Sequence, residues 1–130
     1  MTSRNKSFLA KHKDCEFKHA FNDSGMAIDT KNRLVSIFKG KNEVTYSFSD
    51  VREWSFNCEF AGKIHGGGFH VATANVKNIK SAKERTGFFI KVRDIDNPKW
   101  RVEFKYQKKM QTQLERWMEI FNQTLNEDRA

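Results

Sequence analysis

The chain has 130 residues, with 24 Lys and Arg against 16 Asp and Glu, and a formal net charge of +8. That length suits one domain with a core of its own, and no stretch approaches the roughly 18 consecutive apolar residues of a membrane span. Phe8-Leu9-Ala10 is too short an apolar run for a signal peptide, and Cys15 and Cys58 form no C-x-x-C pair, so the expectation is a cytoplasmic protein with both thiols free.

In chain order, Ser7 is placed to cap a short helix through Phe8, Leu9, His12 and Lys13. Phe17, His19 and Phe21 then alternate weakly, which predicts an extended piece. Residues 1–24 are therefore read as an N-terminal segment packed on a domain spanning 25–130. Met26-Ala27-Ile28-Asp29 predicts a strand, with a turn at Thr30-Lys31-Asn32 where Asn tolerates the left-handed conformation. The run from Arg33 to Lys39 is apolar enough to be buried on more than one side. After a turn at Gly40-Lys41-Asn42, Val44, Tyr46 and Phe48 alternate as a third strand. Ser49-Asp50 interrupts, and Trp54, Phe56, Cys58 and Phe60 share one face of a fourth. Ala61 to Gly68 reads as a glycine-rich loop, Phe69 to Val76 as a fifth strand, and Asn78 to Arg85 as a solvated lysine-rich loop.

The last third is the most regular. Phe88, Ile90 and Val92 alternate with Phe89, Lys91 and Arg93. Asp94 to Pro98 is turn chemistry, and Trp100, Val102, Phe104 and Tyr106 alternate with Lys99, Arg101, Glu103 and Lys105. A period of two puts one apolar and one charged face on this hairpin. Met110, Leu114, Trp117, Met118, Phe121 and Leu125 then recur at steps of three and four, which predicts an amphipathic helix over about 108–126.

Seven short strands and one terminal helix predict a mainly β, α+β fold: a bent seven-stranded antiparallel barrel or orthogonal sandwich closed by the helix. With a tryptophan in mid-helix, Trp117, this pattern resembles a pleckstrin-homology-like domain. Gly-Met-Ala-Ile-Asp (25–29) and Tyr-Ser-Phe-Ser-Asp-Val-Arg-Glu-Trp (46–54) are similar to segments of its small bacterial members. The resemblance covers roughly 25–125 and implies a binding or adaptor module. In lipid-binding members a lysine ending strand one and a Lys/Arg-x-Arg on strand two hold phosphates. This chain has Lys31 and Lys39-Gly40-Lys41, but its first turn falls at 30–32 and Lys41 lies in the second, a departure from that motif.

The candidate anion- or partner-binding residues are Lys91, Arg93, Lys99, Arg101, Lys105, Lys108 and Lys109. They gather on the outward face of the last hairpin and at the start of the helix, opposed within the strands only by Glu103. Like charges across a sheet weaken it, so the pattern invites either a binding role or a solvated face with lysines that discourage edge pairing. Lys77, Lys80, Lys83 and Arg85 read as a solvated loop. His65-Gly66-Gly67-Gly68 has no G-x-S-x-G partner motif, and Cys58, His65 and His70 lack metal-ligand spacing. Asp94-Ile95-Asp96-Asn97 opens like a calcium loop but has Lys99 and Lys105 at the sixth and twelfth positions. The expectation is a non-catalytic cytoplasmic module without metal, cofactor or small-molecule substrate. Its first-choice partner is a protein. The alternative is electrostatic binding of nucleic acid or anionic lipid headgroups through the basic face.

Overall fold

The computed structural model describes residues 2–58 and 85–129, with side-chain surroundings as far as residue 125. In order they form α1 (Ser3–Lys11), β1 (Phe17–Phe21), β2 (Ser24–Asp29), β3 (Leu34–Lys39), β4 (Asn42–Ser47), a 3-10 turn (Phe48–Asp50), β5 (Val51–Asn57), β6 (Gly87–Val92), β7 (Lys99–Val102) and α2 (Met110–Arg129). Every ladder is antiparallel, in a four-stranded sheet β1-β2-β3-β4 and a three-stranded sheet β5-β6-β7. The fold class is α+β, with helices at both ends. The glycine-rich stretch, the strand expected at 69–76 and the lysines at 77, 80 and 83 lie outside the described residues.

The local patterns hold where period decides them. Phe88, Ile90, Val92, Trp100, Val102 and Phe104 are buried, while Lys91, Arg93, Lys99 and Lys105 face water. All six predicted helix positions meet the core, Met118 only partly, and Ile120 joins them. β3 is buried on both faces because α1 covers the outer one. There Phe8 packs against Phe38, ring centroids 4.5 Å apart, in a small cluster with Ala27. Gly25 permits this: a Cβ would lie 2.5 Å from the His19 carbonyl and 2.6 Å from the Phe38 ring.

Of three local expectations, the extended piece is borne out as a strand and the other two need correction. The cap of α1 is Thr2, not Ser7: its hydroxyl accepts the Asn5 N–H at 3.1 Å, so the helix starts well before Phe8. The extended piece at 17–21 pairs along its length with β2, because Asn22 and Asp23 both take positive φ (50° and 56°) and close a two-residue hairpin turn. In the next turn the left-handed residue is Arg33, φ 57°, while Asn32 is held by Asp29, which accepts both its backbone and its side-chain N–H. Those bonds, the side-chain one first, hold the Asp29 carboxyl below its ordinary range.

The expected barrel does not close. Seven strands are found among the described residues, one of them β1, which the sequence did not count as a strand of the domain, and among those residues no ladder joins the sheets. Between β4 and β5 the 3-10 turn breaks the pairing, and the Asp50 carbonyl accepts the Arg93 N–H at 2.8 Å. At the other seam side chains replace a ladder. The Ser24 hydroxyl accepts the Glu103 N–H and His19 Nε2–H donates to the Glu103 carbonyl, both at 2.9 Å. With both Glu103 backbone groups satisfied, β7 ends at Val102. His19 also stacks on Phe104, centroids 3.9 Å apart, and burial pushes its imidazole pKa down despite the Glu103 bond. One core of residues from both sheets and α2 fills the space between.

A polar line crosses this core. Trp100 Nε1–H donates to the Tyr46 hydroxyl at 3.0 Å, and that hydroxyl donates to Asp94 Oδ2 at 2.6 Å. Asp94 Oδ1 in turn accepts the Asp96 and Asn97 N–H groups at 3.0 and 3.2 Å, fixing the β6–β7 turn from inside. Burial first, then Asp94, pushes the Tyr46 pKa up to about 12, and the same bond holds Asp94 low.

Candidate functional site

The outward face of the three-stranded sheet is built in two rows. Ser55, Phe89 and Arg101 are register neighbours, as are Glu53, Lys91 and Lys99. The inward rows, Phe56-Phe88-Val102 and Trp54-Ile90-Trp100, fix this arrangement by burying their rings, so the outer side chains follow from the pleat. A bulge at Arg52 ends the regular pairing of β5.

The charges on this face are not the uniform cluster the sequence suggests. Lys91 Nζ lies 3.3 Å from Glu53 Oε2, both side chains well exposed, a pairing of at most ~1 kcal/mol. Lys99 sits 5.5 Å from the centre of the half-buried Phe89 ring, a cation over an aromatic face. Arg101 Nε and Nη2 donate to the Thr86 carbonyl at 3.0 and 2.6 Å, and Nη1 lies 3.6 Å from Glu103. Gly87, φ 148°, lets this happen, since a Cβ there would meet the Val102 carbonyl at 2.9 Å and the Arg101 side chain. Arg101 thus anchors the start of β6.

A groove of about 560 Å³ crosses this face toward α2. Trp54, Phe89 and Met118 supply apolar surface, Arg52, Lys91 and Lys99 supply positive charge, and Glu53, Ser55 and Asn122 complete it. Trp54 is fixed by its Nε1–H, which donates to Asn122 Oδ1 at 2.8 Å, and by its ring, 5.6 Å from Phe121. A second recess, about 270 Å³, gathers Lys39 and Asn42 from the β3–β4 hairpin with Asn97, Lys99 and Arg101. Lys105 lines a third, of about 390 Å³, with Arg101, Thr86, Glu103 and Tyr106. Arg93 is exposed beyond the end of β6, and Lys108 and Lys109 are exposed before α2; none of the three lines these recesses. The structure therefore joins Lys91 to Lys99 in the groove, Lys99 to Arg101 in the second recess and Arg101 to Lys105 in the third, and leaves Arg93, Lys108 and Lys109 apart from them. Glu53 and Asn122 carry no site signal in the sequence, and Trp54 and Met118 read there only as core-facing positions. Glu53 sits opposite Lys91 only through the β5–β6 register, which no local pattern announces.

Elsewhere, Cys15, His12 and Glu43 fall in a line: Sγ to Nδ1 4.0 Å, Nε2 to Oε2 3.0 Å. The order is that of nucleophile, base and orienting acid. Burial and the nearby Asp29 push the Cys15 thiol pKa up, however, the opposite of what activates a nucleophile. His12 and Lys11 instead tie the end of α1 to Glu43 on β4. Among the described residues no three His, Cys, Asp or Glu side chains converge as metal ligands, and no helix is long and apolar enough to cross a membrane.

No curated protein and no solved structure matches the chain. The family model described as a domain of unknown function, DUF4755, matches residues 16–128, from just before β1 into the end of α2, and the chain belongs to that family.

Proposed function

We propose that the chain is a pleckstrin-homology-like, non-catalytic binding module of the cytoplasm, whose partner is a protein segment seated in the groove over β5. The four-plus-three arrangement of strands with a terminal helix against them supports the fold reading. The observation that carries the binding reading is the make-up of the groove: Trp54, Phe89 and Met118 flanked by Arg52, Lys91 and Lys99. Aromatic and Met surfaces exclude water around an apolar side chain, and the cations select acidic neighbours of that side chain. The fitting ligand is a segment with an apolar anchor between Asp or Glu residues.

The test is affinity capture with wild-type protein and with the double variant Phe89→Ala, Lys99→Glu, followed by mass spectrometry. A protein retained by the wild type and released by a variant that melts like it supports the reading. Equal recovery by both overturns it, as does turnover of a small molecule abolished by the same two changes.

The second recess favours the electrostatic alternative, because Lys39, Lys99 and Arg101 converge beside two amides on a chain of net charge +8. Phosphates of nucleic acid or of lipid headgroups are the ligands it fits. Binding to a labelled duplex would weaken with a log–log salt slope of about −0.9 per phosphate neutralised. Reversal of Lys39, Lys91 and Lys99 to Glu tests the face, and Arg101 is spared because it holds the Thr86 carbonyl. Absence of duplex and anionic-vesicle binding at low salt removes this reading.

A further inference from the structure

Among the described residues the sheets have four edge strands, and three carry a device that discourages a further strand. α1 packs beside β1, whose His19 is spent on Glu103. β5 is bulged at Arg52. β7 is four residues long, carries Lys99 and Arg101, and runs out where Ser24 takes the Glu103 N–H. β4 differs. It is six residues long, Asn-Glu-Val-Thr-Tyr-Ser, with no Pro, Lys or Arg and no register shift against β3. Among the described residues it pairs with β3 alone, and no backbone bond from elsewhere reaches it. Alternate residues of such an edge turn N–H and C=O groups outward. Its single charge, Glu43, is already met by Lys11 and His12 of α1.

The β6–β7 turn next to this strand carries Ile95, 100% exposed and the sole large hydrophobic side chain so exposed among the described residues. Its turn meets β4 at two residues. Asp94 accepts from Tyr46, and Asn97 shares a recess with Asn42. The Asp94 bonds to Asp96 and Asn97, and the Val92 N–H to Pro98 carbonyl bond at 3.0 Å, hold the turn rigid before anything docks. A rigid apolar knob loses little entropy on burial.

We propose that the β4 edge and Ile95 form one self-association surface, on which a second copy of this chain pairs β4 to β4 antiparallel about a two-fold axis at Val44. The sequence of β4 suits its own reverse. Val44 meets Val44 of the second copy, Glu43 meets Thr45, and Asn42 meets Tyr46, so no like charges oppose each other. Paired residues also share a face: Asn42, Val44 and Tyr46 lie on the core side and Glu43 and Thr45 on the outer side, so two four-stranded sheets join as one. The proposal is independent of the groove on β5.

Sedimentation equilibrium of the whole chain, from micromolar to millimolar concentration, is the test. Wild type is expected to reach twice the mass of the chain. Val44→Lys, which sets two like charges across the axis, is expected to stay monomeric. Ile95→Lys is expected to raise the dissociation constant about tenfold or more. Each variant's melt is recorded beside it. If Val44→Lys loses its melting transition, Ile95→Lys decides, because a fully exposed side chain has no packing to lose. A wild type monomeric across the range overturns the proposal. So does a dimer whose dissociation constant is unmoved by Ile95→Lys and, where it folds, by Val44→Lys.

Discussion

The two sheets share one core but meet water differently. In the four-stranded sheet the middle strands β2 and β3 are buried on both faces, the outer one under α1. In the three-stranded sheet α2 and the first sheet cover the inner face only, and the outer face keeps Glu53, Lys91 and Lys99 in water around Phe89. The covers also differ in kind. α2 inserts Met110, Leu114, Trp117, Phe121 and Leu125 into the common core. α1 is pinned by Phe8 and by polar ties at its two ends, Thr2, Arg4 and Asn5 on Asp23 and Lys11 and His12 on Glu43. A face left open is where charge is retained and where a ligand can be read; a face covered by a helix is committed to stability.

The difference between the covers sets the two largest expected effects. Trp117→Ala removes a ring only 4% exposed and should cost about 3–5 kcal/mol, lowering the urea midpoint of the whole domain. Phe8→Ala should cost less, about 1–3 kcal/mol, because α1 can lift away without opening the common core. Amide exchange should then rise across residues 3–11 and leave β6 protected. Equal losses from the two substitutions would show that α1 belongs to the same cooperative unit as α2.

The seams between the sheets come next. Tyr46→Phe strands the Trp100 indole N–H without its acceptor and should cost about 1–3 kcal/mol, measured by denaturant unfolding. It should also loosen the Asp94 turn, seen as faster exchange at Asp96 and Asn97.

The smallest effect is a pH dependence at the opposite seam. The His19 pKa is depressed below its ordinary 6.5 by burial, so the unfolded chain takes up its proton first as pH falls. The contribution of neutral His19 is complete above about 6.5 and is lost as pH drops from there through the lower folded value. Melting temperature should decline across that window, and His19→Gln, which keeps a donor for the Glu103 carbonyl, should flatten the decline. A slope unchanged by the substitution would place the titration elsewhere.

Much of this was legible locally. The alternation from Phe88 to Phe104 and the stripe from Met110 to Leu125 depend on neighbours a few residues apart, so period alone assigned their inner and outer faces. The hairpin at β1 is also encoded locally: Asn22-Asp23, two residues that accept positive φ, stands between alternating Phe17-His19-Phe21 and the apolar run of β2. The alternation in β1 is weak, since Phe17, His19, Ala20 and Phe21 are all half-buried and Lys18 alone of this edge strand is exposed.

By itself the sequence determined the strands from Met26 to Asn57, the last hairpin and the final helix, along with which of their side chains face water, because backbone period and turn chemistry are set within a few residues. The tertiary structure alone decided how the sheets meet and what each cation does. His19 and Glu103 join across 84 positions and Tyr46 and Asp94 across 48. Glu53 reaches Lys91, and Arg101 turns to the Thr86 carbonyl, only once β5, β6 and β7 are in register. Such pairings depend on where distant backbone is brought by the burial of the whole core, and no local periodicity encodes that position.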